Sequence, residues 1–168
     1  KKNIKFKKIT MIPFYNENWL ELNQKTDQII KTKLFSISQG LSGMQNTRKY
    51  SLIIPASNSF GTGEHQSTFL IIKSIEEIFL KKKFFTAIDL GTGSGILSLV
   101  LKKLKKTRIY SIDSDYESDN CLNTNAKKNF LNKIFFINTR NFLSKFLHGK
   151  KFDLIVANIL LKPLVKLS

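Results

Sequence analysis

The feature that most constrains the fold is a glycine cluster, DLGTGSG at residues 89–95. It follows a short apolar run at residues 84–90, and residues 96–104 then carry leucine and valine side chains at helical spacing. Glycine allows a tight turn and a close approach of the backbone to a ligand, and the start of a helix offers unpaired N–H groups to an anion. The cluster therefore predicts a buried strand, a ligand-binding loop and a helix in succession.

The alternation of apolar runs and helical patterns continues along the chain. The predicted strands are residues 84–90, 108–112, 134–137 and 152–157, and the predicted helices are residues 66–80, 96–104, 117–130 and 141–147. This alternation is typical of a parallel sheet with right-handed crossovers. A doubly wound sheet normally has further strands, so we expect an α/β fold that is truncated after the fourth strand.

The pattern is different before residue 58. Strand-like runs at residues 4–9, 33–38 and 50–56 are separated by polar stretches that contain glycine, serine and asparagine. We therefore expect lead-in strands there, and an α/β domain at residues 58–168 with a further helix beginning at Pro163. The first residue is Lys1 and not methionine, which favours a chain cut at both ends.

The spacing of the glycines narrows the class of ligand. The dinucleotide fingerprint G-x-G-x-x-G would need a third glycine at position 96, where Ile96 stands, so a nicotinamide or flavin dehydrogenase is disfavoured. Asp113 follows Gly91 by 22 residues, and a carboxylate there can accept hydrogen bonds from both hydroxyls of a ribose. Alternatively Asp113, like Asp115, caps the next helix. The combined pattern favours ribose binding by Asp113 and capping by Asp115.

Two further polar elements are candidates for the site. Asn158 ends the fourth predicted strand, where it is either a turn former or a ligand contact at the edge that the glycine loop shares. The loop FGTGEHQST at residues 60–68 opens the first predicted helix, and its His65 could equally be a structural residue at a helix terminus. No local feature decides between these alternatives.

Composition bounds the partners and the compartment. The formal net charge is +16, but only three of the 28 basic residues are arginine, and frequent Asn, Ile and Phe accompany the lysines. This favours a compositional bias over a dedicated nucleic-acid surface. The one cysteine excludes an internal disulfide and a cysteine-based metal site, which favours the cytoplasm. No apolar run approaches the roughly 18 residues of a membrane span. The sequence indicates no metal and does not set the oligomeric state.

Four strings in this order, FGTGEHQST, DLGTGSGIL, SIDSD and VANILLKPL, resemble the ribosomal protein L11 methyltransferase (PrmA) family over about residues 16–168. The resemblance implies the Rossmann-like, doubly wound fold of class I S-adenosylmethionine-dependent methyltransferases. It also implies that residues 1–15 end an N-terminal substrate-recognition domain and that residues 16–57 are a linker with lead-in strands. Thr92 stands where the family often has cysteine. The residues that the resemblance assigns to cofactor binding are Thr68, Gly91, Gly93, Asp113 and Asn158.

The resemblance implies methyl transfer from S-adenosylmethionine to amines of ribosomal protein L11, namely lysine side chains and the N-terminal amine. The sequence identifies no catalytic base, and the reaction does not require nucleic acid. One alternative is a nucleic-acid methyltransferase, although such enzymes usually carry Asn-Pro-Pro-aromatic where this chain has Asn158-Ile159-Leu160-Leu161. A second alternative is an inactive fragment that only binds S-adenosylmethionine.

Overall fold

The computed structural model describes residues 28–40, 48–55, 66–104, 108–132, 134–139 and 147–160. The elements within these ranges are β1 (Gln28–Lys31), β2 (Phe35–Ser38), β3 (Tyr50–Ile53), α1 (Gln66–Lys81), β4 (Thr86–Leu90), α2 (Ile96–Leu104), β5 (Arg108–Asp113), α3 (Glu117–Lys128), β6 (Phe135–Asn138) and β7 (Leu154–Ala157). The predicted strand at residues 4–9, most of the predicted helix at 141–147 and the helix start at Pro163 lie outside the described residues.

Strands β4 to β7 form one parallel sheet with the order β6-β5-β4-β7. The chain adds β5 and β6 on one side of β4 and then crosses to add β7 on the other side. The carboxyl ends of β4 and β7 therefore flank the point where the strand order reverses, and ligands of doubly wound sheets bind at this switch point. The predicted Rossmann-like α/β architecture is confirmed.

A second, three-stranded sheet precedes the parallel one. Strand β1 pairs antiparallel with β2, and β2 pairs parallel with β3. Buried side chains of this sheet, such as Phe35 and Leu52, share one hydrophobic core with Ile72 of α1 and Leu101 of α2. The lead-in strands thus pack directly against the helices of the parallel sheet, whereas the boundary at residue 57 stays a prediction.

A buried carboxylate joins helix α1 to the three-stranded sheet. Glu76 on α1 is 2% exposed, and it accepts hydrogen bonds from the Thr32 hydroxyl and, at 2.9 Å, from the Leu34 N–H. Because Thr32 and Leu34 form the turn between β1 and β2, this side chain satisfies polar groups that burial would otherwise leave unpaired. Strand β1 was not predicted, since its sequence QIIK is short and acquires its partner only when β2 is in place.

Helix α3 ends earlier than predicted. The expected helix ran to residue 130 with Phe130 on the buried face, but α3 ends at Lys128 and Phe130 is 97% exposed with φ of 54°. The N–H of Leu131 donates to the Ala126 carbonyl at 2.9 Å, and the N–H of Phe130 donates to the Lys127 carbonyl at 3.1 Å. These two bonds form a Schellman motif, which stops the helix by turning one residue into the left-handed region.

The other described boundaries agree with the prediction within two residues, except that β3 ends at Ile53, three residues before the predicted end. Strand β4 begins at Thr86 and β7 at Leu154, each two residues after the predicted start. The carboxylate of Asp153 accepts hydrogen bonds from the N–H groups of Phe85 and Thr86 at 2.8 and 2.9 Å, so a side chain and not a strand partner satisfies this part of the backbone. Among the described residues, no helix is both long and apolar enough to cross a membrane.

Candidate functional site

The loop after β4 adopts the conformation that its glycines permit. Gly91, Gly93 and Gly95 have φ values of 74°, 52° and 82°, in the left-handed region that other residues rarely adopt. The N–H groups of Gly91 and Thr92 donate to the carbonyl of Ile112, at the end of β5, at 2.8 and 3.0 Å. The loop is therefore held against the neighbouring strand in a fixed shape.

Two of the glycines also permit close packing. A Cβ atom on Gly91 would collide with the side chain of Ile159, which follows β7. A Cβ atom on Gly95 would collide with the side chain of Leu122 and would lie 3.2 Å from the Leu122 Cα. Glycine at these positions brings the end of β7 and helix α3 against the loop, so three elements converge there.

Asp113 lies directly at the glycine loop, as the sequence predicts. Its Oδ2 accepts a hydrogen bond from the Gly93 N–H at 2.8 Å, and its Oδ1 accepts one from the Asp115 N–H at 3.0 Å. A carboxylate has about four acceptor positions, so each oxygen can still accept a bond from a ligand hydroxyl. Asp115 in turn accepts from the Glu117 N–H at 3.0 Å, so its carboxylate pairs the first N–H group of α3, although the N-cap position itself is Tyr116.

The two remaining predicted residues contact each other. The Nδ2 of Asn158, after β7, donates to the Oγ1 of Thr68, in the first turn of α1, at 3.0 Å. Thr68 is completely buried, whereas Asn158 is half-buried. Because the amide N–H₂ points to Thr68, the carbonyl Oδ1 is oriented away from it, and no described residue donates to that oxygen. All five predicted residues thus gather at the carboxyl ends of β4, β5 and β7.

A buried polar network next to the glycine loop was not predicted from the sequence. Asp89 is 1% exposed, and its Oδ2 accepts a hydrogen bond from the Ser98 hydroxyl at 2.6 Å, while Ser98 also bonds Ser111 at 2.6 Å. Its Oδ1 has no hydrogen-bond partner among the described residues. A detectable signal existed in the sequence: an acidic residue inside the apolar run TAIDL, immediately before the glycine loop.

Burial raises the pKa of Asp89 to about 6. The hydrogen bonds from Ser98 and Thr92 act in the opposite direction, whereas the negative charge of Asp113 adds to the rise. Removing water disfavours the charged form of a carboxyl group, and the hydrogen bonds from Ser98 and Thr92 only partly replace that water. A buried acid with a perturbed pKa beside a ligand loop is a frequent property of functional sites.

The charge at this edge differs from that of the whole chain. Five acidic residues lie at the carboxyl ends of β4 and β5, in the loop after β5 and in the first turn of α3: Asp89, Asp113, Asp115, Glu117 and Asp119. Residues 89–99 and 111–125 contain no lysine or arginine, although the chain carries a net charge of +16. The site is therefore locally acidic. No group of three His, Cys, Asp or Glu side chains in the described ranges is placed to hold a metal ion.

Known proteins with the same pattern are methyltransferases. The chain is 34% identical over 117 residues to "Ribosomal protein L11 methyltransferase" of Rhizobium rhizogenes, which covers 68% of this chain and 40% of that protein. It is 38% identical over 108 residues to the protein of the same name from Prochlorococcus marinus, covering 61% of this chain and 34% of that one. The matched region is therefore about 40% or less of the length of these curated relatives.

A solved structure agrees with these relatives. The crystal structure of ribosomal protein L11 methylase from Lactobacillus delbrueckii subsp. bulgaricus aligns with a TM-score of 0.68 and 31% sequence identity, covering 81% of this chain and 68% of that chain. The family described as "Ribosomal protein L11 methyltransferase (PrmA)" matches residues 3–168. With the glycine loop, the strand order and these matches in agreement, the chain belongs to the ribosomal protein L11 methyltransferase family.

Proposed function

We propose that this chain provides the methyl-transfer site of an S-adenosylmethionine-dependent protein N-methyltransferase that acts in the cytoplasm on amines of ribosomal protein L11. The observation that carries the proposal is the convergence of Gly93, Asp113 and the Thr68–Asn158 pair at the switch point of the sheet. The names of the relatives supply the substrate. We further propose the division into residues 1–15, 16–57 and 58–168 that the sequence indicates.

The residues present fit the cofactor. Asp113 keeps acceptor positions for ribose hydroxyls, and the left-handed glycines bring backbone rather than side chains to the ligand. The buried Oδ1 of Asp89, which lacks a donor among the described residues, can accept a hydrogen bond from a bound molecule or from a water beside it. When bound, S-adenosylmethionine supplies a methyl group activated by a sulfonium. We assign Thr68, Gly91, Gly93, Asp113 and Asn158 to its binding.

The acceptor amine must be neutral to attack. A lysine with a pKa of about 10.4 costs roughly 4 to 5 kcal/mol to deprotonate at pH 7. The Thr68–Asn158 hydrogen bond turns the amide so that its carbonyl Oδ1 can accept a hydrogen bond from a neutral amine. This contact orients the nitrogen lone pair, and such positioning supplies much of the acceleration of a methyl transfer. We assign Asn158 this second role and Thr68 a positioning role through Asn158.

The acidic edge suits a cationic substrate. A net charge of +16 would repel a lysine-rich protein at long range, but the five carboxylates of the carboxyl edge reverse the local field where the substrate reacts. Salt at physiological strength screens charges beyond about 8 Å, so the local carboxylates dominate over the distant lysines. The acidity of the site thus supports an amine substrate.

Binding of S-adenosylmethionine tests the site by calorimetry. Asp113→Ala removes charge-assisted hydrogen bonds to the ribose, so binding should weaken by about 1.5 to 3 kcal/mol. Asp115→Ala is the matched control, because it removes the same charge two residues away, where the carboxylate contacts only the backbone of α3. The control should change the affinity less than three-fold. Equal affinities of Asp113→Ala and the unchanged chain would overturn the assignment of the site.

The acceptor is tested by incorporation of labelled methyl groups. Purified ribosomal protein L11 and ribosomal RNA are offered separately, with the unchanged chain and with Asn158→Ala. We expect incorporation into the protein, and Asn158→Ala should lower turnover with little change in melting temperature. Incorporation into RNA instead would favour the nucleic-acid methyltransferase. Binding of S-adenosylmethionine without transfer to either acceptor would favour the inactive fragment.

A further inference from the structure

Basic residues concentrate at the end of the parallel sheet opposite the candidate site. We call this end the amino edge, because strands β4 to β7 begin there. Residues 81–83, 102–103, 127–128 and 150–151 are all lysine, and Arg108 opens β5. These ten are two thirds of the 15 lysines and arginines in the described ranges, so the basic residues are not scattered evenly over the part of the chain that the structure describes.

Composition and helix dipoles do not account for this distribution. A lysine in the last turn of a helix is stabilised by the negative end of the dipole, which explains the basic residues within α1, α2 and α3. It does not explain Lys82, Lys83 or the pair at 150–151, which lie in loops, nor Arg108 at the start of a strand. A compositional bias would place lysines at both ends of the sheet, but the described residues at the carboxyl ends of the strands, 91–95, 113–116 and 158–160, include no lysine or arginine.

Asp153, which immediately precedes β7, is an acidic residue at the amino edge. Its carboxylate accepts hydrogen bonds from neighbouring groups. It accepts from the N–H of Phe85, the N–H of Thr86 and the Thr86 hydroxyl at 2.8, 2.9 and 3.1 Å. These contacts hold the backbone of Phe85 in place. The Phe85 carbonyl also accepts from the Arg108 N–H at 2.9 Å. The Phe85 ring itself is 72% exposed, in the loop between α1 and β4.

A second exposed aromatic ring lies on the same edge. Phe130 is 97% exposed, and its φ of 54° is an unfavourable conformation for a bulky side chain, at a position where helices usually have glycine. The preceding residue, Asn129, accepts a hydrogen bond at its carbonyl from Lys103 at 3.4 Å, which joins the ends of α2 and α3. A strained, exposed phenylalanine has no stabilising role in the fold, and local strain of this kind is common at binding sites.

We propose that the amino edge binds a single-stranded polynucleotide. The lysines and Arg108 would contact its phosphates, and the rings of Phe85 and Phe130 would stack on its bases. Proteins that bind single strands without sequence preference combine a basic surface with exposed aromatic rings in this way. The surface lies at the opposite end of the strands from the methyl-transfer site, so a bound strand is a partner and not the methyl acceptor. The proposal does not depend on the proposed methyl acceptor.

Fluorescence anisotropy with a labelled 12-nucleotide oligouridylate tests the proposal, with oligothymidylate as a second probe to compare RNA with DNA. We expect binding by the 168-residue chain, with a slope of log K against log salt of about −0.7 per phosphate contact. Neutralising Lys82 and Lys83 to Gln should weaken binding about ten-fold or more at 0.1 M salt and flatten the slope by roughly 1.4. The matched control, Ser114→Glu with Asn120→Glu, lowers the net charge equally but at the exposed carboxyl edge, and should change the affinity less than two-fold.

The aromatic contribution has its own test. Phe130→Gly places glycine in the left-handed position, so it should raise the melting temperature and yet weaken binding several-fold without changing the salt slope. Phe85→Ala should weaken binding similarly. Equal losses for the lysine variant and its matched control would show that net charge alone causes binding, and would overturn the proposal. Binding to anionic phospholipid vesicles without binding to either oligonucleotide would also overturn it.

Discussion

The two edges of the parallel sheet hold their carboxylates in opposite environments. At the carboxyl edge Asp89 is fully buried, and burial raises its pKa to about 6. At the amino edge Asp153 is exposed, and the hydrogen bonds from Phe85 and Thr86 hold its pKa below the ordinary value. Asp153 contacts the first residue of β4, and Asp89 lies near its last residue. The charge of the carboxylate is therefore stabilised at the start of β4 and destabilised at its end.

The difference in pKa shows at which edge of the sheet a charged carboxylate stabilises the fold. The N–H donors of Phe85 and Thr86 favour the charged form of Asp153, and the structure gains from the charge. One carboxylate oxygen of Asp89 accepts from the Ser98 hydroxyl and the other has no partner among the described residues, so its charge opposes folding at neutral pH. Proteins retain unfavourable groups of this kind mainly where function requires them. This contrast supports the methyl-transfer site that we propose at the carboxyl edge.

Replacing one glycine with alanine at each edge should give the largest difference in the free energy of unfolding between the two edges. Gly95→Ala forces alanine into φ of 82° and against Leu122, which should lower the free energy of unfolding by about 2 to 5 kcal/mol. Gly149, before β7, has φ of 74° and nothing within 4 Å of the added Cβ position. Gly149→Ala should therefore cost only the backbone term of about 1 to 2 kcal/mol. Urea denaturation measures both variants.

The difference between the two glycine variants isolates packing at the carboxyl edge, because the backbone term is common to both. Equal destabilisation would mean that α3 moves away from the loop at little cost. The contact between α3 and the glycine loop would then be easily displaced, and the fixed shape inferred for the loop would be wrong.

The pH dependence of stability should reveal the charge of Asp89. Its folded pKa of about 6 exceeds the ordinary value of 3.8, so the folded state binds more protons between these values. The free energy of unfolding therefore falls as the pH rises from about 4 to 6, by on the order of 2 to 3 kcal/mol. Asp89→Asn has no charge to bury and should lack this fall. At pH 7 it should be more stable than the unchanged chain, because its amide oxygen can still accept from Ser98.

Asp153→Asn is the mirror-image control. A lowered folded pKa stabilises the fold above the ordinary value, and that contribution disappears as the pH falls through the acid range. The variant should therefore be less stable than the unchanged chain at pH 7 and approach it at low pH. Denaturation curves at pH 7, 4.5 and about 2.5 separate the two cases, because the Asp89 contribution changes between pH 7 and 4.5 and the Asp153 contribution changes only below 3.8. A loss of stability at pH 7 in Asp89→Asn would show that the carboxylate contributes favourably and would remove the contrast between the edges.

Much of the site followed from the sequence because parallel strands share one carboxyl edge. The glycine cluster ends one predicted strand, and Asp113 and Asn158 end two others, so their proximity required only the alternation of strands and helices. The same reasoning applied to the strand starts predicts the basic amino edge. The basic amino edge was not predicted, because the lysines were attributed to a compositional bias and their positions near the strand starts were not considered.

Other features depend on tertiary contacts that no local pattern contains. Phe130 continues the helical spacing of Leu122 and Ala126, and it leaves the helix because Asn129 bonds both the N–H and the carbonyl of Ile53 on β3 at 2.7 Å. The network of Asp89 joins residues from β4, α2 and β5, so it exists only after the sheet has formed. The spacing of strands and helices predicts which strand ends lie at the same edge of the sheet. It does not predict which polar groups become buried between the strands and helices.

The smallest contrast compares one hydroxyl at each edge. The Ser98 proton points to Asp89, so Ser111 must donate the 2.6 Å bond to Ser98. Ser111→Ala leaves the buried Ser98 oxygen without that donor and should lower the free energy of unfolding by about 1 kcal/mol at pH 7. The loss should shrink below pH 6, because the chain of hydrogen bonds from Ser111 through Ser98 then ends on a neutral carboxyl group and is no longer strengthened by a charge. Thr86→Val removes a hydroxyl from the exposed Asp153, where water replaces the bond, and should have a smaller effect that does not change between pH 5 and 7. Denaturation of both variants at these two pH values is the measurement, and a pH-independent loss for Ser111→Ala would separate that serine from the charge of Asp89.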